Sequence, residues 1–202
     1  MDPTKRYFPT IGFSGYSKVS FKFGSTLEVK ENIVFPSSMG VEGTSETNVC
    51  CKGNEVSCVN SASDQYWTAK SNIPIQTTSQ TKFYFEIKIQ SLVKSGVIAI
   101  GLCTKEFPTS QSLPGWVNES YGYHSDDGGI FANSGERPKA SWHPFGVGDV
   151  VGCGMENGKL YFTQNSKRFE TNLQLPERSF YLTVGMEQSS SWTWNLGSSP
   201  FL

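Results

Sequence analysis

The sequence predicts an all-β fold, an antiparallel β-sandwich, and three observations carry that prediction. Short apolar or alternating segments recur every 8–14 residues between glycine-containing turns. No window shows the i, i+3, i+4, i+7 apolar spacing of an amphipathic helix. Of 202 residues, 13% are aromatic, 20 are glycine and 17% are charged. A typical domain is about a quarter charged, so this balance suits a compact β core.

Taken in order, the first strand of the domain falls at Val56 and Cys58, which alternate with polar neighbours. In Phe83-Tyr84-Phe85-Glu86-Ile87-Lys88-Ile89 the odd positions are apolar and Glu86 and Lys88 sit opposite, the period of a half-buried strand. Val97-Ile98-Ala99-Ile100-Gly101-Leu102 is apolar on both faces and belongs in the middle of a sheet. Between Leu113 and Phe131 the turn formers Pro114-Gly115 and Asp127-Gly128 punctuate aromatics, so a loop there enters and leaves short strands. Val150–Met155 and Leu160–Thr163 flank Glu156-Asn157-Gly158-Lys159, where Asn-Gly favours a two-residue hairpin turn with positive φ at both positions. Phe180, Leu182, Val184 and Met186 alternate, and so do Trp192, Trp194 and Leu196. This places Phe83, Phe85, Ile87, Phe162, Leu182, Val184 and Trp194 in the core.

Four of these segments occur in a recognisable order. Phe83–Ile89, Gly96–Cys103, Leu113-Pro-Gly-Trp-Val-Asn-Glu-Ser-Tyr-Gly-Tyr-His-Ser-Asp-Asp-Gly-Gly-Ile-Phe131 and Gly148-Asp-Val-Val-Gly-Cys-Gly154 together resemble a SPRY domain of the kind found in Ran-binding-protein-M-like proteins. The resemblance covers roughly Cys51 to Leu202, three quarters of the chain. It implies a bent β-sandwich whose function is protein recognition, without chemistry of its own. In related SPRY domains of ubiquitin-ligase adaptors, an aromatic at the position of Trp116 helps line a shallow peptide-binding surface built by loops at one end of the sandwich. The resemblance therefore implies partner contacts at Trp116, Val117 and Glu119, and in two further loops, Asn72-Ile73-Pro74 and Glu187-Gln188-Ser189. Two departures limit it. The usual Asn-Gly after the Phe-Thr strand is here Asn165-Ser166, and the loop Glu187–Ser191 is polar and serine-rich. No LisH, CTLH, SOCS-box or RING segment accompanies the domain, so partner recognition is implied and ligase recruitment is not.

The residues themselves give no competing chemistry. His124, Asp126 and Asp127 lie close together, but a zinc site needs three or four converging ligands, and only His143 offers another imidazole. A strand followed by a tight turn, with the aspartates accepting backbone N–H groups and Gly128 at positive φ, accounts for them better. Cys50, Cys51 and Cys58 lack a Cys-x-x-Cys pair and read as small hydrophobes. Five cysteines without regular pairing suit free thiols in a reducing compartment, cytoplasmic or nuclear. No Gly-x-Ser-x-Gly elbow and no phosphate-cradling loop is present, so no catalytic residue, cofactor or metal is expected. A net charge of −1 without a basic cluster argues against nucleic acid, and the longest strongly apolar run, eight residues, is too short to span a membrane. The expected partner is a protein or peptide. The alternative function is a lectin-like sandwich, since Trp-rich sandwiches can stack sugar rings, although the His/Asn/Arg/Trp/Glu set of a galectin-like site is missing.

The N-terminus repeats the C-terminus. Arg6-Tyr-Phe-Pro-Thr-Ile-Gly-Phe13 resembles Ser179-Phe-Tyr-Leu-Thr-Val-Gly-Met186, and Phe21-Lys-Phe-Gly24 resembles Trp194-Asn-Leu-Gly197, both at an offset of 173 residues. Residues 1–30 are thus expected to be a β-hairpin like the end of a preceding SPRY repeat. Residues 31–47, with Pro36-Ser37-Ser38-Met39-Gly40, read as a linker, and 48–202 as the SPRY domain. Two alternatives stay open: any two aromatic hairpins look alike, and the strand pair could instead cover a sheet edge of the same domain.

Overall fold

The computed structural model describes residues 49–58, 65–108, 110–117, 119–136, 138–197 and 199–202, and the backbone of 41–42. Its strands are β1 (Val41–Glu42), β2 (Val49–Lys52), β3 (Glu55–Cys58), β4 (Tyr66–Ser71), β5 (Ile75–Gln76), β6 (Phe83–Leu92), β7 (Ile98–Cys103) and β8 (Ser120–His124). They continue with β9 (Gly129–Ala132), β10 (Ala140–Ser141), β11 (Val150–Glu156), β12 (Lys159–Gln164), β13 (Lys167–Gln174), β14 (Ser179–Glu187) and β15 (Ser190–Asn195). One sheet runs β1-β4-β14-β7-β8-β9-β10, with β5 pairing the start of β14. The other runs β13-β12-β11-β6-β15-β3-β2, and all pairings are antiparallel. No helix occurs among the described residues, and the fold is the all-β sandwich expected of the sequence. β1 lies inside the stretch 31–47. The rest of that stretch and residues 1–30, with the repeat, lie outside the described residues.

Each alternation in the sequence becomes one face of a strand, because the pleat sends successive side chains to opposite sides. Phe83, Phe85, Ile87 and Ile89 of β6 point into the core, as do Phe180, Leu182, Val184 and Met186 of β14. Trp192 and Trp194 of β15 join them, and Phe85 stacks on Trp194 with ring centroids 5.5 Å apart. All seven core positions expected from the pattern are buried. Each such side chain contributes about 1.5–3 kcal/mol by leaving water.

Glu86 departs from the simple reading. It faces outward from β6, yet it is 4% exposed. Its carboxylate accepts hydrogen bonds from the Tyr84 hydroxyl (3.0 Å), Asn195 Nδ2 (2.9 Å) and the Leu202 N–H (3.3 Å), while Phe201 packs edge-on against Tyr84. The segment after β15 thus folds back over the outer face of this sheet.

The turns follow their residues. Asn157 and Gly158 take φ of 51° and 74°, the mirror-image turn favoured by Asn-Gly. Asn165 and Ser166 adopt the same geometry, with φ of 49° and 69°. Asn165 supports it by accepting the Val150 N–H at 3.0 Å and donating to Asp149 Oδ1 at 2.7 Å. The Asn-Ser sequence therefore does not alter the turn. None of the five cysteines forms a disulfide, and only Cys58, Cys103 and Cys153 are buried. Cys50 is exposed because β2 is an edge strand with one face to solvent, which corrects its reading as a buried hydrophobe.

Candidate functional site

The outer face of the β14-containing sheet is crossed by the chain between β7 and β8. Thr68 of β4 donates its hydroxyl to the Ser112 carbonyl at 3.4 Å, and Leu113 and Pro114 lie over Gly185 of β14. A Cβ at residue 185 would stand 2.5 Å from Pro114 Cδ and 2.9 Å from Leu113 Cδ2, so only glycine lets this strap lie flat. Farther on, the Gly115 N–H donates to Ser120 Oγ at 2.8 Å, and the Ser134 N–H donates to the Gly115 carbonyl at 2.9 Å. The strap is therefore fixed to strands on both sides of the sheet's centre.

At its end sits Trp116, half-buried. Its ring meets Tyr66 of β4 edge-on at 5.0 Å and lies 5.5 Å from the ring of His124 on β8. Behind it His124 contacts Phe131 at 4.5 Å. His124 is only 2% exposed, and its Nε2 lies 2.8 Å from the Pro114 carbonyl. Burial pushes its pKa below the usual histidine value; the Pro114 hydrogen bond and the carboxylates of Asp126 and Asp127 oppose that shift. Asp127 Oδ1 accepts the Gly129 N–H at 2.6 Å, and Gly128 has φ of 68°. These residues hold the strand and turn expected of them. Among the described residues no group of three His, Cys, Asp or Glu side chains could hold a metal ion.

The remaining expected contacts divide between two ends. Glu187 pairs with Tyr66 across β14 and β4, and the residue is 9% exposed. Gln188, at φ of 61°, accepts a hydrogen bond from the Ser95 hydroxyl at 3.2 Å, and the Ser189 carbonyl accepts the Val93 N–H at 3.3 Å. This turn lies at the end of β14 nearest Tyr66 and Trp116. Asn72-Ile73-Pro74 do not. They follow Ser71, whose hydroxyl oxygen takes the Leu182 N–H at 3.1 Å, and Ile75 then pairs with Phe180. Roughly six residues of β14, about 20 Å at strand rise, separate the two loops. The expectation of one shared pole is thus corrected, and the cause is direction: β4 runs antiparallel to β14, so the loop after β4 stands beside the beginning of β14. Asn72 and Pro74 are exposed, whereas Ile73 is half-buried against the core.

Glu119 also belongs to that far end. It forms an ion pair with Arg178, whose carbonyl accepts the Thr77 N–H at 2.8 Å. Val117 is half-buried, with its carbonyl taken by the Ser120 hydroxyl. The structure thus packs Trp116 on Tyr66, which the sequence reading missed, and Tyr66 pairs with Glu187 at the end of β14 that leads into Gln188 and Ser189. The available signal was Tyr66-Trp67: adjacent aromatics in a strand must present one ring on each face, and Trp67 takes the core.

Comparison with known proteins agrees with this architecture. The SPRY domain family profile matches residues 82–199. The chain is 35% identical over 123 residues to the Ran-binding proteins 9/10 homolog of Drosophila melanogaster, a match covering 59% of this chain and 12% of that protein. It is 36% identical over 127 residues to Ran-binding protein 9 of Xenopus tropicalis, covering 59% of this chain and 22% of that one. The chain thus spans less than a quarter of these relatives. A crystal structure of a human SPRY domain superposes with a TM-score of 0.64 at 23% identity, covering 80% of this chain and 99% of the other. That of the human HERC1 SPRY domain gives 0.60 at 9% identity, covering 79% and 96%. From the profile match, the relatives and the two facing antiparallel sheets, the chain belongs to the SPRY domain family.

Proposed function

We propose that this chain is a non-catalytic recognition module that holds a short, extended segment of a partner protein against the Trp116 ring. SPRY domains generally mediate protein–protein interactions. The observation that carries the reading here is the half-buried Trp116, wedged between Tyr66 and His124 on a strap bonded across the sheet. A ring held this way, with Gly135 also lying close to it, stays only partly buried and has little freedom to lose on binding, so it suits an interface anchor. Tyr66 packs against it, and Gln188 and Ser189 follow Glu187, the strand partner of Tyr66. Asn72, Pro74 and Glu119 would join only for a segment of six or more extended residues, enough to cover about 20 Å.

The test is a peptide array of candidate partner sequences probed with the wild-type chain and with Trp116→Ala, in buffer and in excess monosaccharide. Peptide binding that persists in sugar and falls in the variant supports the reading. Binding abolished by sugar would favour the lectin alternative, and equal binding by both chains would place the surface elsewhere.

A further inference from the structure

β13 is the last strand of its sheet, and among the described residues it pairs only with β12. It runs for 8 residues, whereas β1 and β10, which end the other sheet, have 2 each. A long edge strand offers a row of unpaired backbone groups to any chain that can match it. Which groups these are follows from the hairpin. Across the two-residue turn Asn165-Ser166, Gln164 faces Lys167 as a hydrogen-bonded pair, and such pairs recur at every second residue. Lys167 and Phe169 therefore direct their N–H and C=O groups to β12. Those of Arg168 and Glu170 point out of the sheet's edge.

The side chains of Arg168 and Glu170 lie on the outer face, because Phe169 takes the core side. Arg168 sits over the Tyr161 ring at 3.6 Å and pairs with Glu156 at 2.9 Å and Glu170 at 2.6 Å. Both side chains remain accessible, Arg168 at 38% and Glu170 at 55%. Edge strands are commonly kept from pairing by charge. Here the two outward charges are opposite in sign and two positions apart, so a second β13 is repelled in some registers and accepted in another. Antiparallel pairing about a two-fold axis must keep Phe169 of both copies on the same face, which removes every register shifted by one residue. An axis at residue 168 sets Arg168 against Arg168, and an axis at residue 170 sets Glu170 against Glu170. With the axis at Phe169, Arg168 of each copy faces Glu170 of the other. The backbone agrees, since residues 168 and 170 then form hydrogen-bonded pairs, each exchanging both N–H···O bonds, with the closely spaced Phe169 pair between them.

We propose that a second copy of this chain docks here, the two β13 strands joining edge to edge about an axis at Phe169. The two seven-stranded sheets become one continuous sheet. The inner side of the joint carries Phe169 from both copies, each half-buried and stacked on its own Trp142 at 4.7 Å. The joint is short. Past Glu170 the register on β12 jumps from Tyr161↔Glu170 to Lys159↔Gln174, and Asn172 takes φ of 57°, a bulge that ends regular pairing. So small an interface makes a weak, concentration-dependent dimer. The exposed ion pairs select its register more than they strengthen it.

Sedimentation equilibrium of the full chain at rising concentration tests this. The mass should climb towards twice that of one chain. Arg168→Glu opposes carboxylates at both contacts and should weaken association by about tenfold or more. The double variant Arg168→Glu/Glu170→Arg restores unlike pairs with itself but sets like charges against the wild type. It should self-associate as the wild type does, yet a labelled sample should not co-sediment with wild-type chain. Melting curves at low concentration establish that each variant is folded. Amide hydrogen exchange reads the register directly: the N–H groups of Arg168 and Glu170 should gain protection as concentration rises, while those of Lys167 and Phe169 stay unchanged. A wild-type chain that remains a single copy at every soluble concentration overturns the proposal. So does a dimer that forms equally well in Arg168→Glu, or one that leaves the Arg168 and Glu170 amides unprotected.

Discussion

His124 Nε2 lies 2.8 Å from the carbonyl oxygen of Pro114, and that bond joins those of Ser120 in tying a central strand to the loop carrying Trp116. A carbonyl can only accept, so the ring must hold its proton on Nε2. With Trp116 on one side and Phe131 on the other, the imidazole is a spacer that sets how far the tryptophan stands from the sheet.

The depressed pKa of His124 makes stability pH-dependent. Burial, its largest cause, lowers the folded value below the ordinary 6.5. Between the two values the unfolded chain binds the extra proton, so stability rises with pH there. The contribution is complete above about 6.5 and is lost as pH falls through the folded value. Melting midpoints from pH 8 to pH 5 should therefore fall more steeply for the wild type than for His124→Gln, which keeps an N–H donor but does not titrate. Parallel profiles would show that the histidine is not the group responsible.

Trp116→Ala should weaken binding of a partner peptide by about 2 kcal/mol, roughly thirtyfold, as removal of an aromatic anchor does. Because the ring also packs on Tyr66 and His124, the same change should lower the melting point by a few degrees. Calorimetric titration alongside denaturant unfolding separates the two effects. Unchanged affinity with a large stability loss would make Trp116 a packing residue alone.

Gly185→Ala places a methyl 2.5 Å from Pro114 Cδ, and the strap must lift to accept it. Neither Gly185 nor Pro114 need touch the partner, so weakened peptide binding in this variant would report the strap's position. We expect a loss of stability of about 1–3 kcal/mol from overpacking, accompanied by weaker binding. Normal affinity in a folded Gly185→Ala protein would show that the height of the strap is irrelevant to recognition.

Phe85 is 0% exposed and stacked on Trp194, so Phe85→Ala should cost about 3–5 kcal/mol through lost transfer energy and a residual cavity. Glu86→Ala, one residue away on the opposite face, should cost about 1–3 kcal/mol by removing the shared acceptor of Tyr84, Asn195 and Leu202. Urea titrations compare them directly. A neutral Glu86→Ala would mean that water satisfies those donors equally well.

The strands were legible because a two-residue period survives in the sequence wherever one face is dry. Phe83 to Ile89 and Phe180 to Met186 show it without interruption, and both became core strands. Burial of Glu86 was not legible, since the residues that cover it, Asn195 to Leu202, lie more than a hundred positions away. The placement of Asn72-Ile73-Pro74 failed for a related reason. Which pole a loop occupies depends on which strand its neighbour pairs with and in which direction, and the pairing of β4 with β14 leaves no mark on either strand alone.

The position of β14 and β15 sets an order of events during synthesis. They are the last strands of the described domain to leave the ribosome, yet each lies inside its sheet, β14 between β4 and β7 and β15 between β6 and β3. Until residues 179–195 emerge, β4 and β7 have no common neighbour, and neither have β3 and β6. The nascent chain must therefore carry exposed aromatic strands and open edges until those residues emerge, the state most prone to aggregation. Folding of this domain waits until residues 179–195 have emerged, and a truncation anywhere before residue 179 would leave two incomplete sheets rather than a smaller domain.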